Sequence, residues 1–173
     1  AVRLRMMQNI ADETVTHRHA PNEPAVPVRQ YGSFLPGSGV GGAGEHWNGG
    51  AWRFLPDLIT LRSHLNQKHG AAKLPRDLAV EDWGVTYDQL EPYYWKAEQM
   101  LGTSGKAGNL RGKIMEGGNP FEAPRQQEYP TPPLKDAYLS TLFAAAAKKL
   151  GYHPYPQPAC NLSQVYKNPD GVT

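Results

Sequence analysis

A glycine-dense stretch holds most of the residues in this sequence that could bind a flat ligand. Residues 41–53 contain five glycines, one histidine, one asparagine and two tryptophans. Glycines let a backbone approach a planar group closely and point successive N–H groups at it. Asn48 can both donate and accept, and the tryptophans supply apolar walls. Such a set could bind a flavin ring, whose carbonyl oxygens and N5 need hydrogen-bond donors.

The predicted ligand contacts are nine residues of this stretch: Gly41, Gly42, Gly44, His46, Trp47, Asn48, Gly49, Gly50 and Trp52. The imidazole of His46 is also a nucleophile that could bond covalently to the 8α-methyl carbon of an isoalloxazine. The alternative interpretation is a glycine-rich surface loop with a solvated histidine. Residue types and spacing alone leave both interpretations open.

A dinucleotide-binding interpretation of the same region fails on context. Residues 37–42 match the G-x-G-x-x-G string, but that fingerprint needs a buried strand before it and a helix after it. Pro36 would break the strand, and Gly44, Gly49 and Gly50 disfavour the helix. The string is therefore a chance match and does not predict a Rossmann site.

Three motifs in order resemble the glucose–methanol–choline oxidoreductase family. Residues 41–56 are similar to its flavin-contacting loop, with Asn-Gly-Gly-x-Trp at 48–52 and Trp-Arg-Phe-Leu-Pro at 52–56. Residues 82–94 resemble its Tyr-x-x-Leu-x-Pro-Tyr-Tyr helix start, and residues 29–37 supply the third motif. The likeness extends to the bacterial gluconate and related sugar dehydrogenases. A departure is Asp57, which stands where relatives often carry an aromatic residue.

The resemblance implies an enzyme that passes a hydride from a sugar hydroxyl to FAD, with gluconate to 2-ketogluconate as the expected reaction. It makes His46 the candidate covalent tether, although relatives differ and His46 could simply pack beside the flavin. The family's catalytic histidine base and its ADP-binding motif have no counterpart here. We therefore assign no catalytic residue and expect the chain to be an internal fragment of a larger protein.

The resemblance also implies partners and a location. It implies a sugar or sugar-acid substrate, a cytochrome c subunit, a small subunit, and the periplasmic face of the bacterial inner membrane. Two alternatives remain open. One is an oxidase of the same family that uses oxygen, and the other is a non-catalytic binding or interaction module that retains part of the scaffold.

Composition narrows the classes of function. The net charge is +2 in 173 residues and the charges are dispersed, which argues against nucleic acid as a partner. Mean hydropathy is −0.60, and no apolar run predicts direct membrane insertion. The single cysteine, Cys160, cannot form an internal disulfide and predicts a buried or partly buried free thiol. His17 and His19 lack a third ligand nearby, so no metal site is predicted.

The pattern predicts an α+β, loop-rich segment with two or three helices and a few short strands, part of a larger FAD-binding α/β fold of this family. We divide it into a flavin-contacting extended segment at 1–56, a helical segment at 57–101, a long loop at 102–132, and a helix with a short strand at 133–173. Residues 13–19 and 162–166 are the predicted strands.

Two helices are predicted from apolar spacing. One begins with Asp57 as its cap, buries leucines at 58, 61 and 65, and ends before Gly70. The other covers residues 133–150. Its apolar stripe consists of Leu139, Leu142, Phe143, Ala146 and Leu150.

The segment at 86–101 predicts a broken helix. Thr86 and Gln89 have the spacing of a capping box. Pro92 removes a backbone donor, so we expect a short turn before it and a separate helix after it. That second helix should bury Tyr94, Ala97 and Leu101.

Overall fold

The computed structural model describes residues 14–15, 22, 26–27, 40–75 and 78–173. The chain divides into two units, Ala1–Asn48 and Gly49–Thr173, which we describe separately. Both helices and antiparallel strand pairs are present, which confirms the α+β prediction at that level.

In the first unit, β1 (Thr14–Val15) pairs antiparallel with β2 (Val26–Pro27), with Val15 opposite Val26. Of the strand predicted at 13–19, Thr14 and Val15 are in a strand, and the other residues of that range lie outside the described part. A 3-10 helix covers Gly42–His46, and Gly41 precedes it in the left-handed region at φ 93°. Several predicted features lie outside the described residues. They are the motif at 29–37, the glycines of the G-x-G-x-x-G string that precede residue 40, and His17 and His19.

Two short helices replace the single one predicted at 57–69. Helix α1 covers Pro56–Ile59 and α2 covers Leu61–His69, with Thr60 between them at φ −114°. Asp57 is not the cap. The N-terminal cap is Leu55, two residues earlier, because the fixed φ of Pro56 suits the first helical position. Gly70 ends α2 at φ 83°, as predicted.

Helix α3 is continuous over Tyr87–Leu101, so the predicted break at Pro92 is wrong. The capping box is confirmed, since the Thr86 side chain accepts from the Gln89 backbone and the Gln89 side chain accepts from the Thr86 backbone. Pro92 removes the bond to the carbonyl of Asp88. Both residues are exposed, so water can reach that carbonyl and the lost bond does not end the helix.

The buried face of α3 also differs from the prediction. Ala97 and Leu101 are exposed, and Tyr94 is half-buried. The buried residues are Tyr87, Glu91 and Glu98, which share one face at spacings of four and seven. Tyr87 joins a small apolar core with Ile59 and Ala123, against which Leu90 and Tyr94 pack. The helix therefore turns two carboxylates inward.

Residues 102–132 are mainly irregular, as predicted, but they carry much of the interior. A hairpin joins β3 (Asn109–Leu110) to β4 (Lys113–Ile114), with positive φ at both turn residues, Arg111 and Gly112. This is the backbone of a two-residue turn that matches strand twist. The buried residues of this region include Thr103, Ser104, Ala107, Ala123, Arg125, Tyr129 and Thr131.

Helix α4 covers Tyr138–Lys149, shorter than the predicted 133–150. Its large apolar side chains are exposed, and Ala147 is its buried residue. The strand predicted at 162–166 is absent, and the residue that pairs in this part of the chain is Ala159. None of the helices in the described parts of the chain combines the length and apolar character that a membrane span requires.

Candidate functional site

Four short segments of the second unit form a ladder of backbone pairs, and one of them, at Gly50, belongs to the predicted ligand-contacting stretch. Ala159 lies between Gly50 and Ser104, antiparallel to both, and Ser104 lies parallel to Thr131. The Ala51 N–H donates to the Pro158 carbonyl at 2.9 Å, and the Cys160 N–H donates to the Gly49 carbonyl at 2.7 Å. The ladder thus fixes the backbone of residues 49–51 along one edge.

Gly49 is required by this geometry. Its φ is +79°, a conformation that L side chains rarely adopt, and an added Cβ would lie 2.9 Å from Oδ1 of Asn161. This glycine therefore has a structural reason to be present, independent of any ligand.

Gly50 has its N–H and C=O on the outer edge of the ladder. Because adjacent strand residues point their backbone groups in opposite directions, the bonds of Gly49 and Ala51 to residues 158–160 turn those of Gly50 outward. A Cβ on Gly50 would approach the Gln157 side chain at 2.7 Å. Among the described residues, this edge therefore offers a peptide donor and acceptor that the ladder does not use.

Trp52 extends from the same strand toward solvent and is 52% exposed. Its ring meets Tyr155 edge to face, with centroids 5.9 Å apart. The two rings line a small cleft together with Tyr129, Glu122, Lys106 and Asn119. The cleft thus joins one predicted contact residue, Trp52, to polar groups contributed by the irregular region.

Burial sets the proton affinities around this cleft. It raises the pKa of Glu122, although the N–H groups of Asn109 and Gly108 donate to that carboxylate and partly oppose the shift. Burial likewise raises the pKa of Tyr129 and of Tyr155, and the Glu122 charge adds to the effect on Tyr155. Both phenols therefore remain neutral donors at physiological pH.

Arg53, directly after Trp52, points inward and meets the buried carboxylates of α3. Its Nε and Nη2 donate to the two oxygens of Glu98 at 2.7 and 2.8 Å. Its Nη1 donates to Glu91 at 3.1 Å and to the Tyr87 hydroxyl at 3.3 Å. Burial by itself lowers the pKa of Arg53, but the Glu98 carboxylate and the Tyr87 hydroxyl together outweigh it and raise the pKa. Arg53 therefore stays charged.

A second arginine completes this cluster. Arg125, whose side chain is fully buried, donates from Nη2 to Glu98 and from Nε to the Gln127 carbonyl. Its guanidinium lies 3.7 Å from the centroid of the Tyr129 ring. We call Arg53, Glu91, Glu98 and Arg125 the buried ion cluster. Two positive and two negative charges balance within it.

The predicted contact residues fall on both sides of the division between the two units. Gly41, Gly42, Gly44, His46, Trp47 and Asn48 belong to the first, and Gly49, Gly50 and Trp52 to the second. Trp47 and Asn48 are exposed, and the His46 side chain lies outside the described part. Cys160 is a partly buried free thiol, as predicted. Within the described residues, no group of three His, Cys, Asp or Glu side chains could hold a metal ion.

The residues that sequence reasoning missed are those of the buried ion cluster. A signal existed: Glu91 and Glu98 are seven residues apart, which places both on one helix face with Tyr87. Charged side chains on a helix usually mark its solvated side, so apolar spacing favoured the neighbouring face that runs through Ala97 and Leu101.

The chain is homologous to a protein named as a dehydrogenase flavoprotein and to one named as the large subunit of a dehydrogenase. It is 42% identical to the gluconate 2-dehydrogenase flavoprotein of Pantoea cypripedii over 174 aligned residues, which cover 99% of this chain and 28% of that protein. It is 33% identical to the fructose dehydrogenase large subunit of Gluconobacter japonicus over 128 residues, 74% of this chain and 20% of that subunit. No protein-family model matches the chain. The two relatives confirm the resemblance to gluconate and related sugar dehydrogenases that the motifs predicted.

Proposed function

We propose that this chain is the flavin-contacting segment of an FAD-dependent dehydrogenase subunit of the glucose–methanol–choline type that oxidises a sugar or sugar acid, with gluconate as the expected substrate. The observation that carries the proposal is the 42% identity to a protein named as a gluconate 2-dehydrogenase flavoprotein, which extends over 99% of the chain. The chain spans 28% of that relative's length.

The geometry at residues 49–52 suits a flavin. The Gly50 peptide faces outward on the edge of the ladder, and neither Gly49 nor Gly50 carries a side chain that would hold a ring away. Trp52 offers an exposed indole beside that edge. Bound FAD would accept the hydride, and this chain's part is to position and orient the ring.

His46 is our proposed covalent tether to FAD, with non-covalent packing beside the ring as the alternative. By the same resemblance, a cytochrome c subunit and a small subunit are the proposed partners, at the periplasmic face of the inner membrane. One relative is named as a large subunit, which supports the proposal of partner chains.

The exposed face of α4 favours a segment of a larger enzyme over a free-standing binding module. Tyr138, Leu139, Leu142, Phe143 and Leu150 are each at least 50% exposed. An isolated helix of this length is marginally stable in water, and its stability normally comes from packing its apolar face. A contiguous apolar face of this kind is typical of a surface that another part of a protein covers.

Spectroscopy of the native protein that contains this chain tests the proposal. We expect stoichiometric flavin absorbance that bleaches when gluconate is added without oxygen. Trp52→Phe should shift the flavin absorption bands. Trp83→Phe should not, and it is the control because Trp83 lies in the same unit and is similarly exposed, at 55%. A colourless native protein would refute the function. Hydrogen peroxide formed in step with substrate oxidation would favour the oxidase alternative.

Acid precipitation tests the tether separately. Flavin should stay with the precipitated wild-type protein and be released from His46→Ala. Flavin that remains attached in the variant would exclude His46 as the attachment point, and flavin released from both proteins would show non-covalent binding.

A further inference from the structure

We infer that Arg53 is a positioning residue, whose attachment to the buried carboxylates of α3 fixes the orientation of Trp52 and of the Gly49–Gly50 edge beside the flavin. This inference rests on the proposed function for its catalytic consequence. Its structural part, the control of Trp52 by Arg53, stands on the contacts of the second unit alone.

The chain at Trp52 is held on both sides. On the N-terminal side, the bonds between residues 49–51 and 158–160 fix the backbone. On the C-terminal side, the next residue is Arg53, whose side chain is 7% exposed while the Trp52 ring faces solvent. Arg53 is turned inward and Trp52 outward, and because the two residues share one peptide bond, fixing Arg53 restricts the directions open to Trp52.

The contact of Arg53 with α3 resists rotation because it uses several atoms of a planar group. The two bonds to Glu98 define the plane of the guanidinium, and the third nitrogen reaches Glu91 and the Tyr87 hydroxyl. A bidentate pair of this kind has a defined geometry that a lysine ammonium cannot reproduce. The Arg53 guanidinium also lies 5.5 Å from the centroid of the Tyr94 ring.

Glu98 is itself held from the opposite side. Arg125 donates to the same oxygen, Oε2, that accepts from Nη2 of Arg53. Arg125 is in turn fixed by the Gln127 carbonyl and by the Tyr129 ring, and Tyr129 lines the cleft next to Trp52. The buried ion cluster thus joins helix α3, the irregular region and the Trp52 strand. Trp52 is the exposed residue on this strand end, and by the proposed function it is the one that faces the flavin.

The experiment uses Arg53→Lys in the native flavoprotein, which retains the charge and removes the bidentate geometry. Arg62→Lys is the matched control, since the one hydrogen bond from the Arg62 side chain to the described residues goes to the Leu78 carbonyl, elsewhere in the same unit. Far-UV circular dichroism reports folding. The readouts of positioning are the visible circular dichroism of the flavin, kcat and KM, and the Trp52 emission obtained by subtracting spectra of matched Trp52→Phe proteins.

For Arg53→Lys we expect a folded protein in which kcat falls roughly 10- to 100-fold, the size typical of a small misplacement of reacting groups. KM should stay within about twofold of the wild-type value, because the substitution changes the position of the flavin ring and not the affinity for substrate. The flavin circular dichroism and the Trp52 emission maximum should both shift. Arg62→Lys should leave all four quantities unchanged.

Two results separate failure of this inference from failure of the proposed function. If Arg53→Lys loses stability but retains the wild-type kcat, flavin spectrum and Trp52 emission, Arg53 is merely structural and the inference is wrong. If the wild-type protein carries no flavin, the proposed function fails. The Trp52 emission of Arg53→Lys then still decides whether Arg53 orients that ring, because this measurement requires no cofactor.

Discussion

Replacing Glu98 with glutamine should strongly destabilise the second unit. The carboxylate accepts three bonds, two from Arg53 and one from Arg125, and its side chain is 7% exposed. Glutamine keeps one accepting oxygen and turns an NH₂ group toward a guanidinium, so donors face each other. The cluster also changes from charge-balanced to one net positive charge in a buried place. Removing one partner of a buried ion pair typically costs about 3–5 kcal/mol.

Urea unfolding of the native protein, followed by tryptophan fluorescence and far-UV circular dichroism, measures this loss. The control is Glu116→Gln, at an exposed position, which should change the free energy of unfolding by less than about 0.5 kcal/mol. A second variant, Glu98→Gln with Arg125→Met, restores the balance of charge and should recover part of the loss. A cost below about 1 kcal/mol for Glu98→Gln would show that these charges are solvated, contrary to the burial described here.

Three further predictions concern pH, backbone and helix start. Burial raises the pKa of Glu122 above its ordinary 4.5, so folding is favoured while that carboxyl is protonated, and this contribution to stability is lost as pH rises through the raised pKa. Glu122→Gln should therefore raise the unfolding midpoint at pH 7 and not at pH 3.5. An equal gain at both pH values would contradict this. Gly49→Ala should cost about 1–2 kcal/mol for its left-handed φ, plus a further amount for its contact with Asn161. Gly70 has a similar φ of +83° but open space around an added Cβ, so Gly70→Ala should show only the cost of the positive φ. Equal losses of stability for the two variants in urea unfolding would show that the contact of residue 49 with Asn161 costs nothing. Thr86→Ala removes the hydroxyl that accepts from the Gln89 backbone and should cost about 1 kcal/mol, whereas Thr86→Ser should retain this bond. Equal unfolding midpoints for the two variants would show that the Thr86 hydroxyl contributes nothing to stability.

Sequence reasoning identified the candidate site through residue types at the chain's surface. Gly49, Gly50 and Trp52 were selected because small and aromatic residues suit a flat ligand. In the structure the Gly50 peptide faces outward and the Trp52 ring is exposed, whereas Gly49 is buried and bonded to Cys160. One of these residues has a second explanation, since Gly49 also meets a conformational need of the ladder. The buried ion cluster behind them was not predicted.

The sequence by itself determined the features that depend on a few neighbouring residues. The capping box at Thr86 and the helix ends at Gly70 and Gly102 follow from local hydrogen bonds and from glycine's access to positive φ. Such signals act over three or four residues and need no information about the rest of the chain.

Tertiary structure decided the features that depend on distant partners. Glu91 and Glu98 turn inward because Arg53 and Arg125, which lie far away in sequence, neutralise them there. The pairing residue near the C-terminal end is Ala159, because Ser104 and Gly50 offer it backbone partners on both sides. Whether a charge can be buried depends on its ion partner, and the register of a strand depends on the backbone it pairs with. Spacing along the chain specifies neither of these partners.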